Sequence, residues 1–159
     1  MNTININSDE FSKAIQKIIG VVERKQTMPI LSHILIEGTG GSLIFTSTDL
    51  EVQLSTEIKI KNETEEFLTT APGRKLHEII RSLDNRELTI SITDTDLTIE
   101  SSSSKFKLQS LPPNEFPLFE ATADETSFVV KQAQLRTLLH KTHFAMAQQD
   151  VRFYLNGLL

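Results

Sequence analysis

The sequence contains no cysteine and no tryptophan, and it has a single tyrosine among its 159 residues. Without cysteine there is no disulfide framework, no zinc ribbon, no thiol nucleophile and no iron–sulfur cluster. The longest apolar runs, such as Ile18 to Val22, are far shorter than a membrane span. Met1 is not followed by the basic start and apolar core of a signal peptide. These absences predict a soluble, cytoplasmic protein of one domain, or of one domain and a remainder.

The net charge of −5 argues by itself against a simple basic nucleic-acid-binding protein. The charges are nevertheless sorted along the chain. Residues 8–25, 73–83 and 131–152, the three predicted helices with their following loops, carry 11 basic and 5 acidic side chains, whereas the rest carries 5 basic and 16 acidic. Lys and Arg are also ordinary solvated residues of helices, which is the simpler interpretation. Because phosphate attraction needs a clustered positive field rather than a basic average, the sorting favours a functional basic face.

Hydrophobic periodicity predicts three amphipathic helices among many short strands. The helices are predicted from Ser8 to Ile19, from Gly73 to about Leu83, and from Gln132 to Ala147. The predicted strands lie at 4–6, 34–36, 43–45, 51–61, 67–71, 88–92, 97–99, 106–108, 128–130 and 151–159. A glycine-rich hairpin turn is predicted at 38–41, and residues 111–125, with three of the five prolines, read as a connector.

The opening strand–helix–loop–strand pattern recurs at the end of the chain without a gap. Residues 4–35 match residues 128–159 at a constant offset of 124. The matched apolar pairs are Ile4 with Phe128, Ile6 with Val130, Phe11 with Leu135, Ala14 with Leu138, Ile15 with Leu139, Val21 with Ala145, Val22 with Met146, Leu31 with Leu155, Ile34 with Leu158 and Leu35 with Leu159. Any two strand–helix–strand units share some of this pattern, but the preserved loop length favours a true repeat. The chain would then hold one full unit and the first quarter of a second, as a truncated product does.

Two groups of side chains resemble metal sites, and neither is complete. His140 and His143 lie three residues apart on a predicted helix, a spacing that permits chelation, but no third ligand is near them in sequence. Asp94 and Asp96 flank a predicted turn, where Asp is a common turn former. A metal-dependent phosphodiesterase that uses these four residues is kept as the alternative function.

The remaining motifs carry no catalytic chemistry. Ser101 to Ser104 lacks the Gly-x-Ser-x-Gly pattern that activates a nucleophile. Arg74 and Lys75 stand at a predicted helix start, where backbone N–H groups also attract phosphate, but the spacing is not that of a P-loop. A binding protein is therefore favoured over an enzyme, and a self-contained module that ends at Leu159 is a third possibility.

Five stretches resemble the beta subunit of bacterial DNA polymerase III, the sliding-clamp family. They are Thr27 to Leu31, Thr48 to Glu51, Arg74-Lys75, Leu111 to Pro117, and Phe144 to Gly157, of which the last is very specific. The resemblance covers all 159 residues. It implies an α+β clamp fold, with antiparallel sheets outside and helices lining the DNA-facing side. It also implies one complete clamp domain at 1–124 and the first strand, helix and strand of a second at 125–159.

The resemblance implies a processivity clamp, a non-catalytic subunit of the DNA-directed DNA polymerase holoenzyme (a nucleotidyltransferase). In this family three similar domains per chain and two chains head to tail close a ring around duplex DNA without reading its sequence. The implied partners are double-stranded DNA, the polymerase III catalytic subunit, the clamp loader, other proteins with clamp-binding motifs, and a second copy of the full-length chain. No cofactor, no metal and no membrane is implied.

Site residues follow from the resemblance, position by position. The implied DNA contacts are Arg24, Lys25, Arg74, Gln149, Phe153 and Tyr154. The implied edge of a partner-peptide pocket is Arg152 and Leu155, and the implied ring interface is Arg74, Lys75, Lys105, Phe106 and Leu108. Lys25 and Gln149 are equivalent positions of the repeat, and the family usually has Arg where Lys25 stands. For Phe106 and Leu108, packing in the domain core remains an equal alternative.

Overall fold

The computed structural model describes residues 2–22, 28–61, 64–83, 87–119, 128–148 and 150–158. The chain divides into two compact units, 1–120 and 121–159. The predicted boundary between residues 124 and 125 lies outside the described residues and stays a prediction. No helix of the described residues is long and apolar enough to cross a membrane.

The described residues of the first unit form two four-stranded antiparallel sheets and two α-helices. Its elements in chain order are β1 (Asn2–Asn7), α1 (Ser8–Ile18), β2 (His33–Thr39), β3 (Ser42–Thr48), β4 (Gln53–Lys59), β5 (Phe67–Pro72), α2 (Gly73–Ser82), β6 (Glu87–Ile92), β7 (Asp96–Glu100) and β8 (Lys105–Gln109). One sheet has the strand order β1-β6-β7-β8 and the other β4-β3-β2-β5. Short 3-10 turns lie at Pro29–Ser32 and Pro113–Glu115.

The β2–β3 hairpin closes on two glycines, as the sequence predicts. Thr39 pairs with Ser42, so only Gly40 and Gly41 form the turn, at φ +51° and +99°. Both values lie in the left-handed region, which glycine adopts without a steric penalty.

One hydrophobic core joins both sheets and both helices. α1 contributes Phe11, Ala14, Ile15 and Ile18, all at helical spacing and all buried. α2 contributes its apolar stripe of Leu76, Ile79 and Ile80 to the same cluster. The two helices contact each other, and each also packs on strands of the β4-β3-β2-β5 sheet. Because both apolar stripes point into one core, the polar faces of α1 and α2 lie side by side on the surface of the unit.

The second unit contains α3 (Gln132–Thr142) and two 3-10 turns, His143–Ala145 and Phe153–Asn156. The predicted helix through Ala147 is therefore too long. Thr142 Oγ1 donates back to the carbonyls of Leu138 and Leu139, at 2.9 and 3.4 Å, where the α-helix gives way to the 3-10 turn. Such back-bonding competes with helix continuation.

The strands predicted at 128–130 and 151–159 are wrong for the part of these segments that the structure describes. Residues 128–130 have no regular secondary structure, and a 3-10 turn occupies Phe153–Asn156. A strand satisfies its backbone N–H and C=O groups only through a neighbouring strand. No described residue of the second unit forms such a strand.

The predicted repeat is confirmed at the level of the backbone. α1 and α3 are both 11 residues long, and their bounds differ by the offset of 124 at each end. The 3-10 turns Pro29–Ser32 and Phe153–Asn156 obey the same offset. Three backbone N–H to C=O bonds also recur: Ile19 to Ile15 with His143 to Leu139, Val22 to Ile19 with Met146 to His143, and Leu31 to Met28 with Leu155 to Arg152. Two unrelated strand–helix units would not share these bonds at one offset.

Candidate nucleic-acid interface

Among the described strand lysines, Lys105 and Lys107 of β8 have carboxylate partners, whereas Lys59 of β4 and the cations of α1 and α2 have none. Within the described residues, ion pairs join Lys61 to Glu87 at 3.7 Å, Lys107 to Asp96 at 3.0 Å, Lys105 to Glu100, and Arg152 to Asp150 at 2.9 Å. None of these pairs uses a side chain of α1 or α2. Lys13, Lys17, Lys75 and Arg81 of these helices therefore keep a positive charge that no described carboxylate neutralises at ion-pair distance.

Asp96 illustrates how the strand charges are neutralised locally. Its Oδ2 accepts a hydrogen bond from Thr95 Oγ1 at 2.7 Å and lies 3.0 Å from Lys107 Nζ. The Thr95 hydrogen bond first, and then Lys107, hold the pKa of the Asp96 carboxyl below its ordinary value. Asp96 is thus a paired turn residue rather than a free metal ligand.

Arg74 stands at the start of α2 and reaches the end of the turn that follows α1. Its Nη2 donates to the carbonyl of Val22 at 2.8 Å, and its Nε is buried without a hydrogen-bond partner among the described residues. Val22 is the last described residue before the stretch 23–27. Arg24 and Lys25, two of the predicted DNA contacts, belong to that stretch and lie outside the described residues.

Three basic side chains share one flank of α2. At 3.6 residues per turn, Arg74, His77 and Arg81 fall within about 60° of arc, on the side away from the centre of the buried stripe. Burial first, and then the charges of Arg81 and Arg74, lower the pKa of His77, while Glu78 opposes them. His77 is not among the residues that the sequence singles out. The signal that identifies it is its spacing of three and four residues from two arginines.

Four predicted site residues of the second unit, Arg152, Phe153, Tyr154 and Leu155, lie on a loop that hydrogen bonds close. The N–H of Ala147 donates to the carbonyl of Leu155 at 2.9 Å. Asn156 closes the loop, since its Oδ1 accepts from the N–H of Asp150 and its Nδ2 donates to the carbonyl of Asp150, both at 3.0 Å. Phe153 and Tyr154 project from this loop, with 82% and 68% of their surfaces exposed. Gln149, predicted to contact DNA, lies outside the described residues.

Arg152 and Leu155 stand on the same loop with different surroundings. The Arg152 guanidinium donates two hydrogen bonds to the Asp150 carboxylate, from Nε to Oδ1 at 3.0 Å and from Nη2 to Oδ2 at 2.9 Å. This pairing lowers the pKa of Asp150. Leu155 is 36% exposed. Their part in a peptide pocket stays a prediction.

The residues predicted for a ring interface lie on two elements. Lys105, Phe106 and Leu108 belong to β8, which is an edge strand of its sheet, and Lys75 is exposed on α2. Leu108 is only 2% exposed and belongs to the core, so of its two alternatives core packing is the one observed. Phe106 is half-buried against that core. The outer edge of β8 has no strand partner among the described residues, which leaves backbone groups for another chain.

The two incomplete metal sites of the sequence gain no third ligand among the described residues. Among the described residues there is no group of three or more His, Asp and Glu side chains that could hold a metal ion. His143 Nδ1 instead lies 3.2 Å from the carbonyl of His140, and the two rings meet edge to face with centroids 5.6 Å apart.

The two antiparallel sheets and the amphipathic helices with unpaired cations define an α+β protein of the clamp class. The model of the family "DNA polymerase III beta subunit, N-terminal domain" matches residues 2–120. The chain belongs to this family.

Relatives and solved structures agree with the match. The beta sliding clamps of Pseudomonas aeruginosa and of Escherichia coli K12 are 42% and 33% identical over 155 residues, which is 97% of this chain and 42% of each relative. A crystal structure of the DNA polymerase III subunit beta from Pseudomonas aeruginosa superposes with a TM-score of 0.91 at 40% identity, over 98% of this chain and 42% of that one. Caulobacter crescentus pol III beta has a TM-score of 0.91 at 34% identity, with the same coverage. The predicted clamp fold is confirmed, and the chain spans about two fifths of the length of these relatives.

The same relatives bear on the enzyme alternative. They are named sliding clamps and polymerase beta subunits, and none of them is named a phosphodiesterase. The alternative based on Asp94, Asp96 and the two histidines is therefore not supported, and neither is a transferase activity of this chain.

Proposed function

We propose that this chain is part of a cytoplasmic processivity clamp, a non-catalytic ring that holds a replicative polymerase on duplex DNA. The observation that carries the proposal is the positive charge of Lys13, Lys17, Lys75 and Arg81 on α1 and α2, which no described carboxylate pairs, whereas Lys105 and Lys107 of β8 both have carboxylate partners. A net charge of −5 repels DNA at long range, so binding requires this local concentration of cations.

Contacts of this kind suit a protein that slides. Lys and Arg that neutralise phosphates release counterions and bind any sequence, whereas base-specific recognition needs side chains in the grooves. The helix faces of the first unit offer Lys13, Lys17, Arg74 and Arg81, and the predicted loop residues Arg24, Lys25, Gln149, Phe153 and Tyr154 would add further contacts. The weak affinity of each contact leaves the duplex free to move.

The proposed assembly is a homodimeric ring of longer chains. β8 supplies an open sheet edge with Lys105 and Phe106, and Arg74 and Lys75 of α2 are the other residues proposed for the interface. A polymerase catalytic subunit, a clamp loader and other motif-bearing proteins are the proposed partners, with Arg152 and Leu155 at one edge of their pocket.

The experiment compares Arg81, a cation of α2, with Lys61, an exposed cation just after β4. Arg81→Ala removes an unpaired charge of α2, and we expect weaker binding to a labelled random duplex, with the slope of log K against log salt reduced by about 1. Lys61→Ala is the matched control, because Lys61 is a highly exposed cation that faces Glu87. It should leave both affinity and slope unchanged.

Fluorescence anisotropy over a salt series measures both quantities. Equal effects of the two variants would show that the net charge, and not the helix face, governs binding. An unchanged slope for Arg81→Ala would contradict the proposed contact between Arg81 and a DNA phosphate.

A further inference from the structure

We propose that His77 is an additional phosphate ligand of the α2 surface, and that it takes up one proton from solvent when duplex DNA binds. The inference rests on the proposed function, since it concerns the same DNA-facing surface. It adds a residue that the family resemblance does not supply, and it makes DNA affinity depend on pH near neutrality.

The first step is the position of His77. It lies three residues after Arg74 and four before Arg81, so the three side chains form one row along α2. The bond from Arg74 Nη2 to the carbonyl of Val22 shows which flank of α2 this is, namely the flank beside the end of α1. A phosphate backbone that follows this flank passes His77 between the two arginines.

The second step is the charge around His77. On its own helix it faces Arg74, Glu78 and Arg81, and these are the charges that act on its pKa. The elements that chiefly pack against α2 are α1, β2 and β5. Their titratable side chains are Asp9, Glu10, Lys13 and Lys17 on α1 and His33 and Glu37 on β2, with none on β5. None of these is among the charges that shift His77.

The third step is the effect of a phosphate. In the free protein, burial and the two arginines disfavour the imidazolium, so the pKa of His77 lies below its ordinary value. A phosphodiester anion against this row offsets the arginine charges and accepts a hydrogen bond from the ring, which favours the charged form. Binding therefore raises the pKa, and by linkage a lower pH strengthens binding between the free and bound pKa values.

The test measures duplex affinity at about pH 6 and about pH 7.5 at one low salt concentration. The unmodified chain should bind several-fold more tightly at the lower pH, up to about tenfold for each unit by which the pKa rises. His77→Gln should lose this difference and equal the unmodified chain at the higher pH. His77→Arg, with a permanent charge, should bind tightly at both pH values.

His140→Gln serves as the matched control, because it removes an exposed histidine of α3 and should keep the full pH difference. A second readout is the NMR titration of the His77 ring with and without duplex, where the midpoint should move to higher pH. Binding that does not depend on pH, or equal pH dependence in His77→Gln, overturns the inference and leaves the proposed function standing. Absence of duplex binding at both pH values overturns both.

Discussion

His33 is a buried histidine, and its neighbours determine whether its Nδ1 donates or accepts. Its Nδ1 lies 3.1 Å from Thr70 Oγ1. The Thr70 hydroxyl also donates to the carbonyl of Leu111 and accepts from the N–H of Leu111, both at 2.8 Å. Because a hydroxyl has one hydrogen, the His33 ring donates from Nδ1 to Thr70. This chain of bonds ties β2 and β5 to the segment after β8.

Burial makes His33 a source of acid sensitivity. Desolvation lowers the pKa of His33 in the folded protein, so between that value and the ordinary value near 6.5 the unfolded chain binds more protons than the folded chain. The free energy of unfolding should therefore fall as pH drops below about 6.5. The total loss should be about 1.4 kcal/mol for each unit by which folding lowers the pKa of His33. Urea unfolding at about pH 7.5 and about pH 5 measures this difference.

His33→Gln should reduce that difference, although it costs stability at both pH values through the altered hydrogen bond. His77, whose pKa is also lowered, acts in the same direction and accounts for part of the remainder. A pH dependence that His33→Gln leaves unchanged would contradict the role of His33.

Among the elements, the two copies of the repeated helix differ in how they begin. Asn7 precedes α1 at φ −74° and ψ 127°, and its Oδ1 accepts from the N–H groups of Asp9 and Glu10 at 3.0 and 3.2 Å. Lys131 precedes α3 with nearly the same backbone, φ −68° and ψ 126°, but makes no side-chain cap. The two copies of the repeat therefore share the backbone conformation before the helix but not the side-chain cap.

This difference predicts opposite effects of two substitutions. Asn7→Ala should lower the free energy of unfolding by about 1 kcal/mol, whereas Asn7→Asp, which retains the cap, should change it by a few tenths. Lys131→Asn should add a cap to α3 and slow amide hydrogen exchange in its first turn. Urea unfolding and exchange monitored by NMR test the two expectations. Faster exchange in α3 would show that the first turn does not use the added side chain.

The second unit forms its predicted helix but not its predicted strands, and the apolar face of that helix is exposed. Leu135, Leu138 and Leu139 are 42–59% exposed, whereas the equivalent Phe11, Ala14 and Ile15 of α1 are at most 2% exposed. The helix forms at this position from local bonds, since the i to i−4 ladder is internal to the segment. A strand has no such internal ladder, so the same apolar pattern at 128–130 and 151–158 leaves it without regular pairing.

For the whole molecule, the expected behaviour on DNA follows from its length relative to its relatives. The chain spans 42% of the beta sliding clamps it matches. By itself it should bind duplex DNA weakly, release it as salt rises, and be released equally from linear and closed circular DNA. Gel filtration of the chain with each DNA, followed by a salt step, measures this. Retention on the circular form alone would contradict it, because only a closed ring is held there by topology.

The distribution of charge over the whole molecule was partly predictable. The charges could be assigned to predicted elements because the periodicity that marks a helix is local. The observed bounds of α1 and α2 agree with the predicted bounds. That Lys105 and Lys107 of β8 have carboxylate partners on β7, while Lys13, Lys17 and Arg81 have none among the described residues, depends on strand register and could not be read from the sequence.

Local sequence was sufficient to predict α1, α2, the start of α3, the strands of the first unit, the hairpin at Gly40-Gly41 and the repeat, because propensity, capping and periodicity act over a few residues. Three-dimensional packing was needed to show that Leu108 lies in the core and that Arg74 bonds the Val22 carbonyl, which places the row of Arg74, His77 and Arg81 beside the end of α1. These outcomes depend on which distant segments pack together. Packing is set by the combined burial of both sheets and both helices, and no local pattern contains that information.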